Sequence, residues 1–343
     1  MQLVILKNHK QLVNSVLEDT FRKFVLNHPE GNFFQSIDFF KLCKELEGFE
    51  AFLLLSVNNQ GEITGSMMGV IQTNGTGLKS WFSRRVIIWG GPLVLERNKS
   101  HTTRELLKSL KEFAAGKAIF IEFRNLFDCE VLKQDFEWEG FQFQPYLNFL
   151  IETDDETRVL KRMHGNRRRE INKSLKTGAQ IREANSIEEV HVFYNILDTL
   201  YREKVKKPLP EFGLFQKLWE SESAKIFVVL FDNKIIGGAA CPVFDGKVIY
   251  DWFHCGVMNV AKGVFAGVLA AWAPIKYALD NDFEHMDFMG GGKPDETYGV
   301  RDFKARYGGE MVSFGRFVTV LNRPLFEIGK LGLKVYQKLK INL

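Results

Sequence analysis

Residues 225–253 read KIFVVLFDNKIIGGAACPVFDGKVIYDWF, and this stretch determines the predicted fold class. The apolar runs at 225–231, 235–244 and 247–253 have the length and the β-branched and aromatic content of strands. Asp232 and Asn233 form a polar turn between the first two runs. The stretch therefore predicts an antiparallel meander.

Helical patterns surround this meander. Two of them precede it, at 157–177 and 187–204, and one follows at about 264–279, before the short strand HMDFM at 285–289. Helices, a meander, then a helix and another strand predict an α+β sandwich rather than a strictly alternating parallel sheet.

The same order of elements occurs earlier in the chain. Strands are predicted at 52–57, 65–72, 86–94 and 118–123, with a helix at 103–115 and two leading helices at 10–26 and 36–47. A repeat of this length sets the architecture of the chain. The element order resembles the GNAT acetyltransferase fold present twice, each copy having a mixed, mainly antiparallel sheet flanked by helices. We place the first domain at 1–152, the second at 153–322 and a C-terminal amphipathic helix packed on the body at 323–343.

Composition excludes several classes of protein. The 343 residues carry 46 basic and 42 acidic side chains, a formal charge of +4, so any anion site must be local. Four widely spaced cysteines form no CxxC pair, and no histidine spacing matches a known metal motif, so no metal site is predicted. The N-terminus lacks signal-peptide features and no window reaches the roughly 20 apolar residues of a membrane span. We expect a cytoplasmic protein.

A basic amphipathic helix is predicted at 157–177. Its cationic side chains can hold a diphosphate or an RNA backbone, because guanidinium groups bind phosphate oxygens bidentately. A solvated surface helix is an equally valid interpretation of such a charge run. The predicted phosphate- or RNA-binding residues are Arg162, Arg168, Arg169 and Lys173.

The segment DFMGGGKPDETYGVRDFKARYGGE, residues 287–310, is the second candidate site. A strand ends in three glycines, which let a backbone approach a ligand closely. Lys304 follows Phe303 in the returning segment, where a lysine can stabilise the oxyanion of an acyl-transfer intermediate. From composition alone, an ordinary surface lysine is the simpler interpretation.

This segment resembles the C-terminal signature of the Fem family of peptidoglycan aminoacyltransferases. In that signature a helix ends in Tyr-Ala, a strand carries Asp-Phe and glycine, and a Phe-Lys pair precedes an aromatic residue and glycine. Three other stretches agree: NFFQSIDFF at 32–40 resembles the family's opening, VIIWGGPLV at 86–94 its Gly-Pro strand end, and the basic helix lies where the second domain begins.

The resemblance implies two tandem GNAT-like domains that move an amino acid from charged tRNA to an amine of a peptidoglycan precursor, with no other cofactor. The precursor is nucleotide- or lipid-linked. The first domain would bind the acceptor and the second would transfer the acyl group. Phe303 and Lys304 would lie at the acyl-transfer centre, so Lys304→Ala is expected to lower turnover with little loss of fold. The substrate-binding residues carried over are Gln35, Ser36, Asp287, Gly290, Gly291 and Tyr307.

Two alternatives stay open at this stage. An acyl-CoA-dependent N-acyltransferase would bind coenzyme A near 259–267, although that loop lacks the full glycine-rich pattern of CoA-dependent relatives. A noncatalytic module that binds precursor or RNA would tolerate loss of Lys304. A cleft lined by Asp251, Trp252 and His254 is one interpretation of this run, and strand alternation explains the same residues about as well. No general base and no oligomeric state is predicted.

The tail, residues 324–343, has apolar residues at helical intervals beside four lysines. Such a helix can lie on an anionic membrane at the inner face of the cell, where a lipid-linked precursor would be found. Docking on the globular body is the favoured interpretation, because Gly332 weakens the helix.

Overall fold

A computed structural model describes residues 2–6, 15–73, 78–96 and 99–339. The chain divides into two compact units. The first comprises Met1–Pro145 with Phe314–Leu343, and the second is Tyr146–Ser313. Residues 10–14 of the first predicted helix and Lys340 of the predicted tail lie outside the described residues.

The elements of the first unit follow a helix-then-meander order. They are β1 (Gln2–Leu6), α1 (Ser15–Asn27), α2 (Ile37–Lys44), β2 (Phe49–Val57), β3 (Ile63–Gln72), α3 (Leu78–Ser83), β4 (Arg85–Trp89), β5 (Leu93–Val94), α4 (Lys99–Ala114), β6 (Phe120–Arg124), α5 (Glu130–Trp138) and β7 (Gln142–Gln144). The second unit contributes β8 (Asn148–Glu152), α6 (Glu156–Arg162), α7 (Gly165–Lys176), β9 (Gln180–Glu183), α8 (Ile187–Leu200), α9 (Phe212–Glu220), β10 (Ala224–Phe231), β11 (Lys234–Phe244), β12 (Val248–Tyr250), β13 (Phe253–Gly256), α10 (Ala266–Asp280), β14 (His285–Asp287), α11 (Gly299–Ala305) and β15 (Glu310–Val312). The chain then returns to the first unit with β16 (Arg316–Val320) and α12 (Arg323–Leu339).

The first unit has an eight-stranded mixed sheet in the order β1-β2-β3-β4-β6-β16-β7, with β5 paired to β3. Strands β4 and β6 run parallel, and the Gly90 amide beyond β4 donates to the Arg124 carbonyl at 2.9 Å. The chain then leaves β6, and β5 pairs with β3 instead. The core lies between the sheet and helices α4 and α5.

The second unit repeats this plan. Its eight strands are ordered β15-β8-β14-β12-β11-β10-β9, with β13 paired to β11. Strands β12 and β14 run parallel, and the Asp251 amide donates to the Asp287 carbonyl at 2.8 Å. Beyond that bond the chain leaves β14 and continues as β13. Asp251 therefore occupies in this unit the position that Gly90 occupies in the first.

The core of the second unit surrounds α10, which is apolar on nearly all sides and packs against the sheet. The N-terminal end of this helix lies directly against β13. A Cβ atom built on Gly256 would be only 2.1 Å from the Gly267 amide nitrogen, so a side chain at 256 would collide with backbone. The glycine permits this close approach of strand and helix.

The α+β prediction with two GNAT-like sheets is confirmed, and the predicted strands of the central meander match β10 and β11 within a residue. The domain limits differ from the predicted 152/153 division. Strand β8 pairs with β14 and β15 of the second sheet, whereas β16 pairs with β6 and β7 of the first. Strand pairing, rather than the acidic turn at 152–155, decides where each segment belongs.

Several elements differ from the sequence prediction. The single helix expected at 157–177 is two helices, because the backbone is extended at Met163 and His164. The strand expected at 86–94 is broken at Gly90–Pro92 into β4 and β5. The short helices α5, α9 and α11 were not predicted. Helix α12 packs its Phe326 ring on Phe120, with 5.4 Å between ring centroids.

Within the described ranges, no helix has both the length and the apolar content needed to cross a membrane.

Candidate active site

Lys304 lies at the point where the chain beyond β12 diverges from β14. Helix α11 carries it inward, and its ammonium donates to the carbonyls of Phe288 and Gly290 at 2.6 and 2.8 Å. Its side chain is buried, with 7% of the residue exposed. The interpretation as an ordinary surface lysine is therefore wrong. The two described hydrogen bonds use two of the three N–H donors of the ammonium group.

Asp287, the last residue of β14, holds the turn that follows. Its Oδ1 accepts from the Asn148 amide at 2.7 Å and from the Met289 backbone at 2.5 Å. Asn148 in turn accepts from the Gly290 backbone at 2.7 Å. Burial raises the pKa of Asp287 to about 6, against the opposing effect of its hydrogen bonds.

Arg301 fixes the remainder of the glycine-rich loop from α11. Its guanidinium donates to the Gly291 carbonyl at 2.9 Å and to three further carbonyls of the loop, at Lys293, Pro294 and Glu296. Gly290 and Gly292 adopt φ values of 128° and 80°, which side chains disfavour. The loop is thus held by the half-buried Arg301 on one side and by the buried Asn148 and Asp287 on the other.

His254 and Asp251 form a second polar pair at this site. The His254 Nδ1 lies 2.6 Å from the Asp251 Oδ2, and Asp251 is almost fully buried. The other carboxylate oxygen, Oδ1, is buried and has no hydrogen-bond partner among the described residues. An ionised Asp251 holds the proton on Nδ1, so Nε2 of a neutral His254 is an acceptor.

The Phe303 ring joins the two parts of the site. It stacks on the His254 imidazole, with 5.7 Å between centroids and 25° between planes. The Arg167 guanidinium lies 4.4 Å from the centroid of the same ring and donates to the Phe303 carbonyl at 3.1 Å. Phe303 is half-buried, so its ring is part of the wall of the site rather than of the core.

Charges of opposite sign surround Lys304. Burial lowers the pKa of Lys304, while the carboxylates of Asp251 and Asp287 act in the opposite direction. Perturbed groups of this kind concentrate at functional sites. Lys304, Phe303, Asp251 and His254 together offer a cation, an aromatic wall and a proton acceptor within one unit.

Comparison with known proteins bears on the fold. No family model matches the sequence, and no curated protein does. Among solved structures, FemX is similar over 96% of this chain and 99% of its own, with a TM-score of 0.70 and 17% identity. The chain has a Fem-like tandem GNAT fold.

Two further structures share the Fem-like arrangement. L-PGS from Bacillus licheniformis matches over 93% of this chain and 96% of its own, with a TM-score of 0.57 and 13% identity. A tandem GNAT protein from the clavulanic acid biosynthesis pathway matches over 94% and 99%, with a TM-score of 0.55 and 10% identity. At these identities the likeness concerns the fold.

The substrate-binding residues predicted in the second unit of the Fem-like fold lie beneath the site. Tyr307 is fully buried and its hydroxyl donates to the Val268 carbonyl at 2.9 Å. The Gly291 amide donates to the Leu147 carbonyl at 2.5 Å, and Asp287 is engaged as described. In this conformation these three residues support the turn, and Gly290 lies nearer the surface.

The two residues predicted in the first unit have structural contacts. Gln35 is fully buried, donates to the Met68 and Trp89 carbonyls, and accepts from the Met68 amide. It fills the gap between β3 and the end of β4. The Ser36 hydroxyl accepts from the Phe39 amide and caps α2. Neither side chain is presented to a ligand in this conformation.

The four predicted phosphate- or RNA-binding residues of α6 and α7 lie on the outer side of these helices, whereas Arg167 points inward. Arg162 pairs with Glu152 and Asp154, Arg168 donates to the Leu160 carbonyl, and Arg169 donates to Asn166. Lys173 is exposed, with its methylenes against Gly263. Arg167 differs from them, since it points inward to Phe303 and is not part of the positive surface.

Sequence reasoning assigned no role to Asn148, Arg167 or Arg301, and it weighed Asp251 and His254 only as residues that line a cleft. The run Asp251-Trp252-Phe253-His254 carried one available signal, because two polar residues interrupt an otherwise apolar strand. A strand break at Trp252 brings their side chains together, whereas regular alternation would place them on opposite faces.

Proposed function

We propose that this protein transfers an aminoacyl group from charged tRNA to an amine of a peptidoglycan-precursor peptide, forming an amide. The observation that carries the proposal is the buried Lys304. It lies next to Phe303 in the chain, and its ammonium lies beside the glycine turn where β12 and β14 diverge. The similarity of the whole chain to FemX supports transfer chemistry at this position.

The site suits attack of an amine on an activated ester. The ester carbonyl oxygen gains negative charge as the new C–N bond forms, and a cation fixed in a buried site stabilises that charge effectively. The described contacts leave one N–H donor of Lys304 for this oxyanion. Binding both substrates on one scaffold supplies a further part of the rate through proximity.

The division of work between the units follows the same logic. The second unit holds the ionisable groups of the candidate site, Lys304, Asp251 and His254, and would carry out acyl transfer. The first unit would bind the acceptor. The exposed cations of α6 and α7, above all Arg169 and Lys173, would contact tRNA phosphates.

Acyl-CoA is the alternative donor, and the start of α10 disfavours it. Coenzyme A relatives bind diphosphate on free N–H groups at this helix end. Here the Val264 amide donates to the Ala261 carbonyl at 3.1 Å and the Phe265 amide to the Ser174 hydroxyl at 3.0 Å. The Gly267 amide lies under Gly256. These contacts support a donor that does not need a diphosphate cradle.

We also propose contact with an anionic membrane at the inner face of the cell. Helix α3 exposes Trp81 and Phe82, and the adjoining α12 exposes Ile328 and Leu331. The two helices touch, since a Cβ built on Gly329 would lie 3.4 Å from the Phe82 carbonyl oxygen. A surface of aromatic and aliphatic side chains with nearby cations favours the headgroup region of a bilayer. A lipid-linked acceptor would be reached there.

The test is mass spectrometry of a nucleotide-linked muramyl pentapeptide incubated with the protein and a pool of charged tRNAs. A mass gain of one amino-acid residue is expected. The same pool after mild alkaline deacylation is the control, and an acyl-CoA mixture is run in parallel. A gain with acyl-CoA alone, or an equal gain with deacylated tRNA, would contradict the proposal.

A further inference from the structure

The pair His254–Asp251 has a geometry that the aminoacyl-transfer proposal leaves unused. Asp251 lies in the break between β12 and β13, and His254 lies on β13, so the strand break itself positions the pair. The 2.6 Å contact uses Nδ1 of the imidazole and one carboxylate oxygen. Within the part of the chain that the structure describes, no hydrogen bond to Nε2 is recorded.

The two residues of the pair differ in burial. The Asp251 side chain is inaccessible, whereas 19% of the His254 side chain is exposed. A buried carboxylate fixes the orientation of an imidazole and stabilises its protonated form, which is the role of the acid in catalytic triads. Asp251 engages the Nδ1 edge of His254, so the Nε2 edge is the one left for a substrate.

The His254 imidazole lies close to the proposed acyl-transfer centre. The imidazole stacks on Phe303, whose neighbour Lys304 supplies the cation for the oxyanion. The charged and titratable groups of the neighbouring elements act on the two partners of the imidazole. Asp251 interacts electrostatically with Asp287 on β14, Lys304 on α11 and Tyr201 after α8, and Arg167 on α7 lies over the Phe303 ring. Acyl transfer from an ester to an amine is helped by a cation at the carbonyl oxygen and by a proton acceptor at the amine. Lys304 provides the cation and His254 provides the proton acceptor.

We propose that His254, oriented by Asp251, accepts a proton from the ammonium group of the acceptor, so that the free amine can attack, and then gives this proton to the leaving ester oxygen. This inference rests on the proposed function. His254 Nε2 takes one proton from the ammonium, and the free amine attacks the ester carbonyl carbon. The carbonyl π pair moves to oxygen, next to Lys304. Collapse reforms the carbonyl and breaks the bond to the donor ribose oxygen, which receives the proton from the imidazolium. The second proton of the new amide nitrogen leaves to solvent.

The activity test compares His254→Gln with wild type in the charged-tRNA assay. Turnover is expected to fall about 100-fold or more, with little change in KM for the acceptor peptide. The pH dependence contributed by the imidazole should disappear from the rate profile. Asp251→Asn should give an intermediate loss with the same change of profile. His191→Gln, an exposed histidine on α8 of the same unit, is the matched control and should match wild type.

Two results separate this proposal from the proposed function. A wild-type protein that transfers no amino acid from tRNA contradicts the function. A wild type that does, alongside a His254→Gln variant with at least half its turnover and an unchanged pH profile, contradicts the role of His254. Added imidazole should restore part of the turnover of His254→Ala, and it would not restore a variant that is merely misfolded.

A measurement without substrate tests the same pair. In ¹⁵N spectra of histidine-labelled protein, the neutral His254 should be the Nδ1–H tautomer, and Asp251→Asn should weaken that preference. A neutral His254 found as the Nε2–H tautomer would place the proton on the wrong nitrogen and would overturn the proposal, whatever the activity.

Discussion

Lys304 combines its proposed catalytic role with a structural one in a single side chain. Its ammonium stands beside the proposed oxyanion position and also holds the carbonyls of Phe288 and Gly290. Removing a buried donor leaves those acceptors without a partner and costs about 1 to 3 kcal/mol. The expectation that Lys304→Ala barely affects the fold therefore changes once burial is known.

Lys304→Met keeps the aliphatic stem and removes the charge, so it is the sharper substitution. Turnover is expected to fall at least about 100-fold, through loss of oxyanion stabilisation. Steady-state kinetics and denaturant unfolding measure the two effects separately. Lys276→Met, at a half-buried lysine on α10 paired with Asp280 and Glu156, should leave turnover unchanged. Wild-type turnover in Lys304→Met would remove Lys304 from the mechanism.

The raised pKa of Asp287 predicts that the stability of the fold depends on pH. Its pKa rises from 3.8 to about 6 on folding, so the folded state retains the proton over a range in which the unfolded state has lost it. Its contribution is therefore fully present below about pH 4 and is lost as pH rises through about 6. Asp287→Asn keeps the acceptor oxygen for Asn148 and Met289 but does not titrate.

Between pH 4 and 7, wild type should lose on the order of 2 kcal/mol of unfolding free energy relative to Asp287→Asn. Urea unfolding of both proteins across this range measures the difference. A difference that stays constant with pH would show that Asp287 ionises in the folded protein as it does in the unfolded chain.

Among elements, the contact between β13 and α10 is the most restrictive. Gly256→Ala would place a methyl group against the Gly267 backbone, and moving a strand from a packed helix should cost about 1 to 3 kcal/mol. Gly267→Ala is the matched control, because nothing lies within 4 Å of a Cβ built there. Alanine at this helical position should be neutral or slightly stabilising.

Thermal unfolding of the two variants tests this contact. Equal stability of Gly256→Ala and wild type would mean that the strand and helix are further apart than described, and would leave the Gly267 amide accessible to a ligand.

Elements defined by local chemistry were predictable from the sequence. Strands β10 and β11 follow from two apolar runs and a turn whose Asp232 and Asn233 both adopt positive φ. The helices α5, α9 and α11 have only seven to nine residues, too few for their periodicity to stand out. The burial of Arg167 depends on the break at Met163 and His164, which turns α7 relative to α6, and no periodic pattern shows it.

The site was predictable only in part for the same reason. Phe303 and Lys304 came from a resemblance in sequence, and their position at the divergence of two strands is consistent with it. Asp251 and His254 meet only because the strand breaks at Trp252, and Gln35 fills a gap that exists only in the folded sheet. Tertiary contacts of this kind leave no period in the sequence.

Considered as a whole molecule, the chain presents an apolar surface on α3 and α12 that membrane binding would cover. Trp81→Ser should weaken binding to vesicles of anionic phosphatidylglycerol roughly tenfold, because tryptophan favours the bilayer interface. Vesicle sedimentation measures this effect. Val131→Ser, an exposed apolar residue on α5, is the control and should bind like wild type. Binding to neutral and anionic vesicles alike would contradict a role for charge.

The two halves of the repeat differ at one equivalent position. Gly90 in the first unit has no side chain and lies against Asn32, with Gln35 filling the neighbouring gap, whereas Asp251 in the second unit bears a carboxylate. We therefore expect only the second unit to carry out the proposed reaction. Each chain should consume one donor at a time, and titration with a nonhydrolysable donor analogue should reach saturation at one equivalent per polypeptide.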